Sequence, residues 1–111
     1  MYRKAIAVLL YTCAVGMAHA EFLDGNKLLS RIKGDGYDYL NALGYITGVA
    51  DATRGVISCP PDNITAGQLT DMMKMHLESA PSVRHLPADQ HVAYVMKKAW
   101  PCAEKRRGQD L

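Results

Sequence analysis

The chain has 111 residues, 49% of them hydrophobic, and 13 Lys and Arg against 11 Asp and Glu, a formal net charge of +2. That length holds one small domain. A charge so near neutral argues against nucleic acid or an anionic membrane surface as the partner.

Arg3 and Lys4 open the chain with positive charge. Ala5 to Val15 is almost wholly apolar, and Ala18-His19-Ala20 puts small residues at the two positions a signal peptidase reads, just before the polar Glu21. This order predicts a secretory signal peptide over 1–20, with an apolar run too short to anchor in a bilayer. Cys13 leaves with it, since Tyr11 and Thr12 do not make a lipobox. The expected product is a periplasmic domain over 21–111, free of the membrane after cleavage, in a compartment where disulfides persist. Arg3 and Lys4 lie in the leader, so this domain carries eleven basic and eleven acidic residues. The stretch 103–111, with Lys105-Arg106-Arg107, reads as a frayed, solvated tail.

The apolar periodicity of the domain is helical almost throughout, and four helices are predicted. The first runs from about Asp24, a good N-cap, to Ile32, with Leu28, Leu29 and Ile32 on one face. Gly34-Asp35-Gly36 breaks it. The second runs from about Tyr37 to Val56. Its apolar face reads as Tyr37, Leu40, Leu43, Ile46 and Val49. Gly44, Gly48 and Ala52 form a second stripe at a spacing of four, which predicts close packing against another helix of the domain or a seat for a partner's element. Pro60 and Pro61 keep the following loop out of helix and pin Cys59.

Thr65-Ala66-Gly67-Gln68 spells a capping box and starts the third helix. Leu69, Met72, Met73, His76 and Leu77 line its apolar face, and it stops before Pro81. The fourth starts with Pro87 as its first residue and runs to about Trp100, burying Ala88, His91, Val92, Val95, Met96 and Ala99 before Pro101 ends it. The fold class is therefore all-α, a compact four-helix domain. Cys59 and Cys102 are the two cysteines left after processing. As an isolated pair in an oxidising compartment they are expected to form a disulfide, the alternative being two buried free thiols. Closing a loop of about 43 residues would contribute roughly 4 kcal/mol on the chain-entropy account.

No catalytic machinery stands out. Ser30, Ser58, Ser79 and Ser82 lack a nucleophile-elbow setting, and the chain has no phosphate-binding glycine loop. Asp35 and Asp38 read as a helix cap and first-turn charge. Asp24-Gly25-Asn26 is too short for a calcium loop. His85, Asp89 and His91 match no zinc signature, and His76 reads as a packing residue on an apolar face. The expectation is a non-enzyme with no metal and no cofactor that acts by binding. Large or charged residues suited to contact are Tyr37, Tyr39, Tyr45, Arg54, Arg84, His85 and Trp100, of which Tyr37, Tyr45 and Trp100 could equally be core.

An ordered string of motifs runs from Phe22 to Cys102. It comprises Phe22-x-Asp24-Gly25-x-x-Leu28, then Gly44-Tyr45-Ile46-x-Gly48-Val49-x-Asp51, then Cys59-Pro60-Pro61 and Ile64-Thr65-Ala66-Gly67-Gln68-Leu69. Pro81-x-x-Arg84-His85-x-Pro87-Ala88 and Ala99-Trp100-Pro101-Cys102 complete it. This string resembles the Rap/Tai class of type VI secretion immunity proteins. The resemblance implies a small periplasmic helical protein that binds a peptidoglycan-cleaving amidase effector delivered by sibling cells. It would block the effector's cleft sterically, without chemistry of its own. Related immunity proteins form homodimers, and the resemblance extends that expectation here. Asp51, Arg84 and His85 are the motif positions least explained by folding, and with Tyr45 and Arg54 they make the expected partner-binding set. Two other functions fit a stapled helical domain: an acid-stress periplasmic chaperone of the HdeA type, and an inhibitor of another wall hydrolase.

Overall fold

A computed structural model describes residues 22–103. The predicted signal peptide and the tail beyond residue 103 lie outside the described residues. Four helices follow in order: α1 (Gly25–Lys33), α2 (Tyr37–Thr53), α3 (Ala66–Ser79) and α4 (Ala88–Ala99). Among the described residues there are isolated bridges but no strand.

Local chemistry sets the starts. The Asp24 side chain accepts from the Lys27 backbone N–H at 2.8 Å and caps α1. At α3 the Gln68 N–H donates to Thr65 Oγ1 at 3.1 Å, while the Thr65 N–H donates to Gln68 Oε1 at 2.9 Å, completing the capping box. Pro87 stands one position before its expected place, as the N-cap of α4 rather than its first residue. The α2 helix stops at Thr53, short of Val56. Arg54 turns to extended geometry, and Gly55 takes φ +76°, which a side chain would resist, so that its N–H donates to the Ser58 carbonyl at 2.7 Å.

The core is one cluster drawn from all four helices: Leu28, Leu29 and Ile32; Ala42, Ile46 and Ala50; Leu69, Met73 and Leu77; Ala88, Val92 and Met96, with Leu23 ahead of α1. Helix α2 packs against each of the other three. Its buried face is only partly the one expected: Ile46 is buried and Val49 packs against the core, as predicted. Ala42, Ile46 and Ala50 go inward, whereas Tyr37 is 81% and Leu40 64% exposed. Apolar residues surround almost the whole circumference of α2, so periodicity alone could not choose the inward side. The small-residue stripe is corrected in the same way. A Cβ built at Gly44 or Gly48 would meet nothing within 4 Å, so no helix of the domain packs against them.

Cys59 and Cys102 are bonded, with Cα atoms 4.9 Å apart. The Cys59 N–H also donates to the Trp100 carbonyl at 2.8 Å, and Ser58 bridges Pro101, so the loop after α2 is fastened to the end of α4.

Candidate functional site

The expected contact residues fall in three places, and no described cavity is lined by more than one of these groups. Asp51 and Arg54 sit at the end of α2, facing Pro60 to Asp62 across a small cleft of about 90 Å³. Arg54 pairs there with Asp62, both side chains being well exposed. Tyr45 is half-buried against the core. Burial and, behind it, the nearby Asp89 carboxylate push its hydroxyl pKa up. Arg84 and His85 belong to the turn between α3 and α4. The Arg84 side chain is turned back on α3, with Nε donating to the Leu77 carbonyl at 2.7 Å and Nη2 to the Glu78 carbonyl at 3.3 Å. A cation at the carbonyl end of a helix is well placed against its dipole, so Arg84 holds the turn down. His85 is exposed at the surface of that turn.

The largest of the described clefts lies beside this turn, on residues that the sequence had assigned to packing or passed over. A cleft of about 530 Å³ is lined by His76, Val83, Leu86, His91, Tyr94 and Lys98, among others. A second, of about 430 Å³, adjoins it and shares His76, Ser79, Tyr94 and Lys98, extending the groove to Met72 and Met75. Of the eight large hydrophobic residues exposed among those described, four belong here: Met75, Val83, Leu86 and Tyr94. Lys98 Nζ stands 5.7 Å from the centre of the Tyr94 ring, a cation–π distance. No carboxylate lines either cleft.

The floor of the groove is polar. His76 Nε2 and His91 Nδ1 are 2.9 Å apart, and His91 Nε2 lies 3.0 Å from the Val83 carbonyl oxygen. The His76 ring also stands 5.2 Å from that of Tyr94, centre to centre. Burial, then the neighbouring His91 and Lys98, hold the His76 pKa below its ordinary value. His91 was expected on the inner face of α4 and is there, only 5% exposed. The available sign of this pair was that each of two adjacent helices carries one histidine on its inward face.

The groove offers apolar contact and one cation, with no nucleophile–base–acid arrangement. Among the described residues no group of three His, Cys, Asp or Glu is placed to hold a metal ion, and no helix is long and apolar enough to cross a membrane. A search of curated proteins finds no match. A family model, described as Rap1a immunity proteins, matches residues 24–102, from the cap of α1 to the second cysteine of the disulfide. That span takes in all four helices and the groove, and the chain belongs to the Rap1a immunity protein family.

Proposed function

We propose that this protein is a periplasmic immunity protein of type VI secretion. It binds a peptidoglycan amidase effector and covers the effector's catalytic cleft, with no chemistry of its own. Family membership supports the effector–immunity role. The observation that carries the choice of face is the gathering of Met75, Val83, Leu86 and Tyr94 around one groove. Exposed apolar clusters with aromatic anchors are where protein partners dock, and a half-exposed Tyr at the centre is the usual kind of hot spot. The groove presents Lys98 and no carboxylate, so it suits a partner segment that is apolar with an acidic group at one end. His85 on the adjoining turn, and Asp51 with Arg54 at the end of α2, supply the polar rim or a second contact.

The test uses the oxidised protein as bait against periplasmic extract, followed by digestion of peptidoglycan with whatever it captures. Stoichiometric capture of one amidase with loss of its activity is the expected result. The mass of the complex reads out whether the inhibitor acts as the homodimer that the resemblance implies. Leu86→Glu and Tyr94→Ala, if folded, should each weaken capture by about tenfold or more, the scale of a hot-spot loss above 1 kcal/mol. Capture unaffected by both would move the contact face off the groove. Capture of a different wall hydrolase would keep inhibition and replace the target. Broad capture of unrelated proteins, seen only in acid, would replace immunity by the chaperone function.

A further inference from the structure

His91 occupies a tight junction between α1, α3, α4 and the α3–α4 turn. A Cβ at Gly25, the first residue of α1, would lie 3.0 Å from its ring. The α3–α4 turn and His76 of α3 complete the enclosure. The Val83 carbonyl oxygen can only accept, so His91 Nε2 must carry its proton and Nδ1 is left with a lone pair. His76 Nε2 faces that lone pair and must be the donor. Both neutral rings are therefore Nε2–H tautomers. A directed chain runs from His76 Nε2–H to His91 Nδ1, and from His91 Nε2–H to the Val83 carbonyl.

Protons act on this chain in two unequal steps. The first can be taken at His76 Nδ1, and the resulting imidazolium still donates through Nε2, now in a charge-assisted bond. The second must go to His91 Nδ1, which is the acceptor. Then one N–H faces another and two cations share a buried junction, so the rings must part. The surrounding groups do not relieve this. From α4 the pair faces Lys98, a cation, and the Tyr94 ring. From the turn it faces the Val83 carbonyl, while Arg84 is held on α3 carbonyls and His85 is exposed. From α1 it faces the Gly25 backbone, and the Asp24 carboxylate is taken up by the Lys27 N–H. Glu78 of α3 pairs with Lys33, and Asp89 of α4 lies by Tyr45. Among the described residues no carboxylate hydrogen-bonds to either ring.

We propose that the His76–His91 pair is a proton-operated latch, which holds the α3–α4 turn against the groove while at most one proton is bound and releases it on the second. Its regulatory meaning rests on the groove being the partner face; the opening itself does not. The direction of the pH effect follows from the geometry: the closed junction has no place for the second proton and the open one does, so acid favours opening. Burial, His91 and Lys98, which lower the folded His76 pKa, act in the same direction. The opened or unfolded chain therefore takes up protons at the pair more readily than the closed one. Stability is full above the ordinary value of 6.5 and is lost as pH falls from there through the folded value.

The test needs no partner, so its failure is separate from failure of the effector reading. The ¹⁵N spectrum of the histidine rings in the oxidised protein at neutral pH should show the Nε2–H tautomer for both His76 and His91. Hydrogen exchange is then followed at the Leu86 amide, which bonds to the Val83 carbonyl within the turn, and at the Gly25 and Ala88 amides, which bond to Leu86 and Leu23 across the junction. After correction for intrinsic exchange, these amides should open roughly tenfold more readily at about pH 4.5 than at about pH 7.5. In His76→Gln a neutral amide donates to His91 Nδ1 and, by turning over, accepts from it once protonated, so the acid opening should vanish. An Nδ1–H tautomer at His91 would overturn the latch, as would protection unchanged by pH or an acid opening retained in His76→Gln. If His76→Gln does not fold, the tautomers and the pH series of the unaltered protein decide alone.

Discussion

A methyl group at position 25 would have nowhere to go. It would run into the Arg84 carbonyl oxygen and press on the His91 ring, so the Asp24-Gly25 pair does two jobs, capping α1 and letting the α3–α4 turn close over its first residue. Gly25→Ala gains at most about 1 kcal/mol of helix propensity but overpacks the junction by about 1–3 kcal/mol, so a net loss of up to about 2 kcal/mol is expected in urea unfolding. The loss should come with faster exchange at the Leu86 amide, which a simple propensity effect would not produce. Ser58 is the opposite case. It is fully buried, and its hydroxyl has no hydrogen-bond partner among the described residues. Such a group carries a desolvation cost with nothing to offset it, so Ser58→Ala should raise stability by about 1 kcal/mol in the same assay. Neither role is visible in the sequence. Gly25 reads only as the residue after the Asp24 cap and Ser58 as a loop serine, because what decides each is a neighbour distant along the chain.

At the level of elements, the legible parts were those whose cause lies within four residues. The Asp24 cap, the Thr65–Gln68 box and the prolines at 87 and 101 place the starts of α1 and α3 and bracket α4, since their hydrogen bonds and steric limits are local. The rotation of α2 was not legible, because it is apolar on most sides and the choice of inward face belongs to the other three helices. Hence the stripe of Gly44 and Gly48 faces open space. This makes a prediction with two separable readouts. Gly44→Ala and Gly48→Ala should each stabilise the free protein by about 1 kcal/mol in thermal unfolding, since an alanine there gains helix propensity and touches nothing. If the groove is the partner face, capture should be unchanged in both. Weakened capture from either, with the added stability intact, would place the partner on α2.

Taken whole, the described residues form two helices outside a covalent loop and two inside it. The disulfide joins Cys59 to Cys102, so α3, the turn and α4 lie within the closed segment, while α1 and α2 reach it through the core alone. The pairing was readable from the expectation of a secreted domain in which Cys59 and Cys102 are the two cysteines left. The groove that the bridge encloses was not, because it is assembled from residues of α3, the turn and α4 that are each ordinary in their own stretch of chain. Constraining this segment lowers the entropy of the unfolded state chiefly over the part that carries the groove. Replacing both cysteines by serine should therefore cost about 2–4 kcal/mol in urea unfolding, near the roughly 4 expected for a loop of this length. The native state keeps its core packing and the Cys59 N–H to Trp100 carbonyl bond, so the variant should still unfold in a single transition. The loss should also be nearly independent of the latch. The bridge lies at the far end of α4 from the His91 junction, so the cysteine variant should keep the acid opening of the turn while starting from lower stability. A cost below about 1 kcal/mol would mean that the unfolded chain stays compact without the bond, and that the closed segment organises itself before the bridge forms.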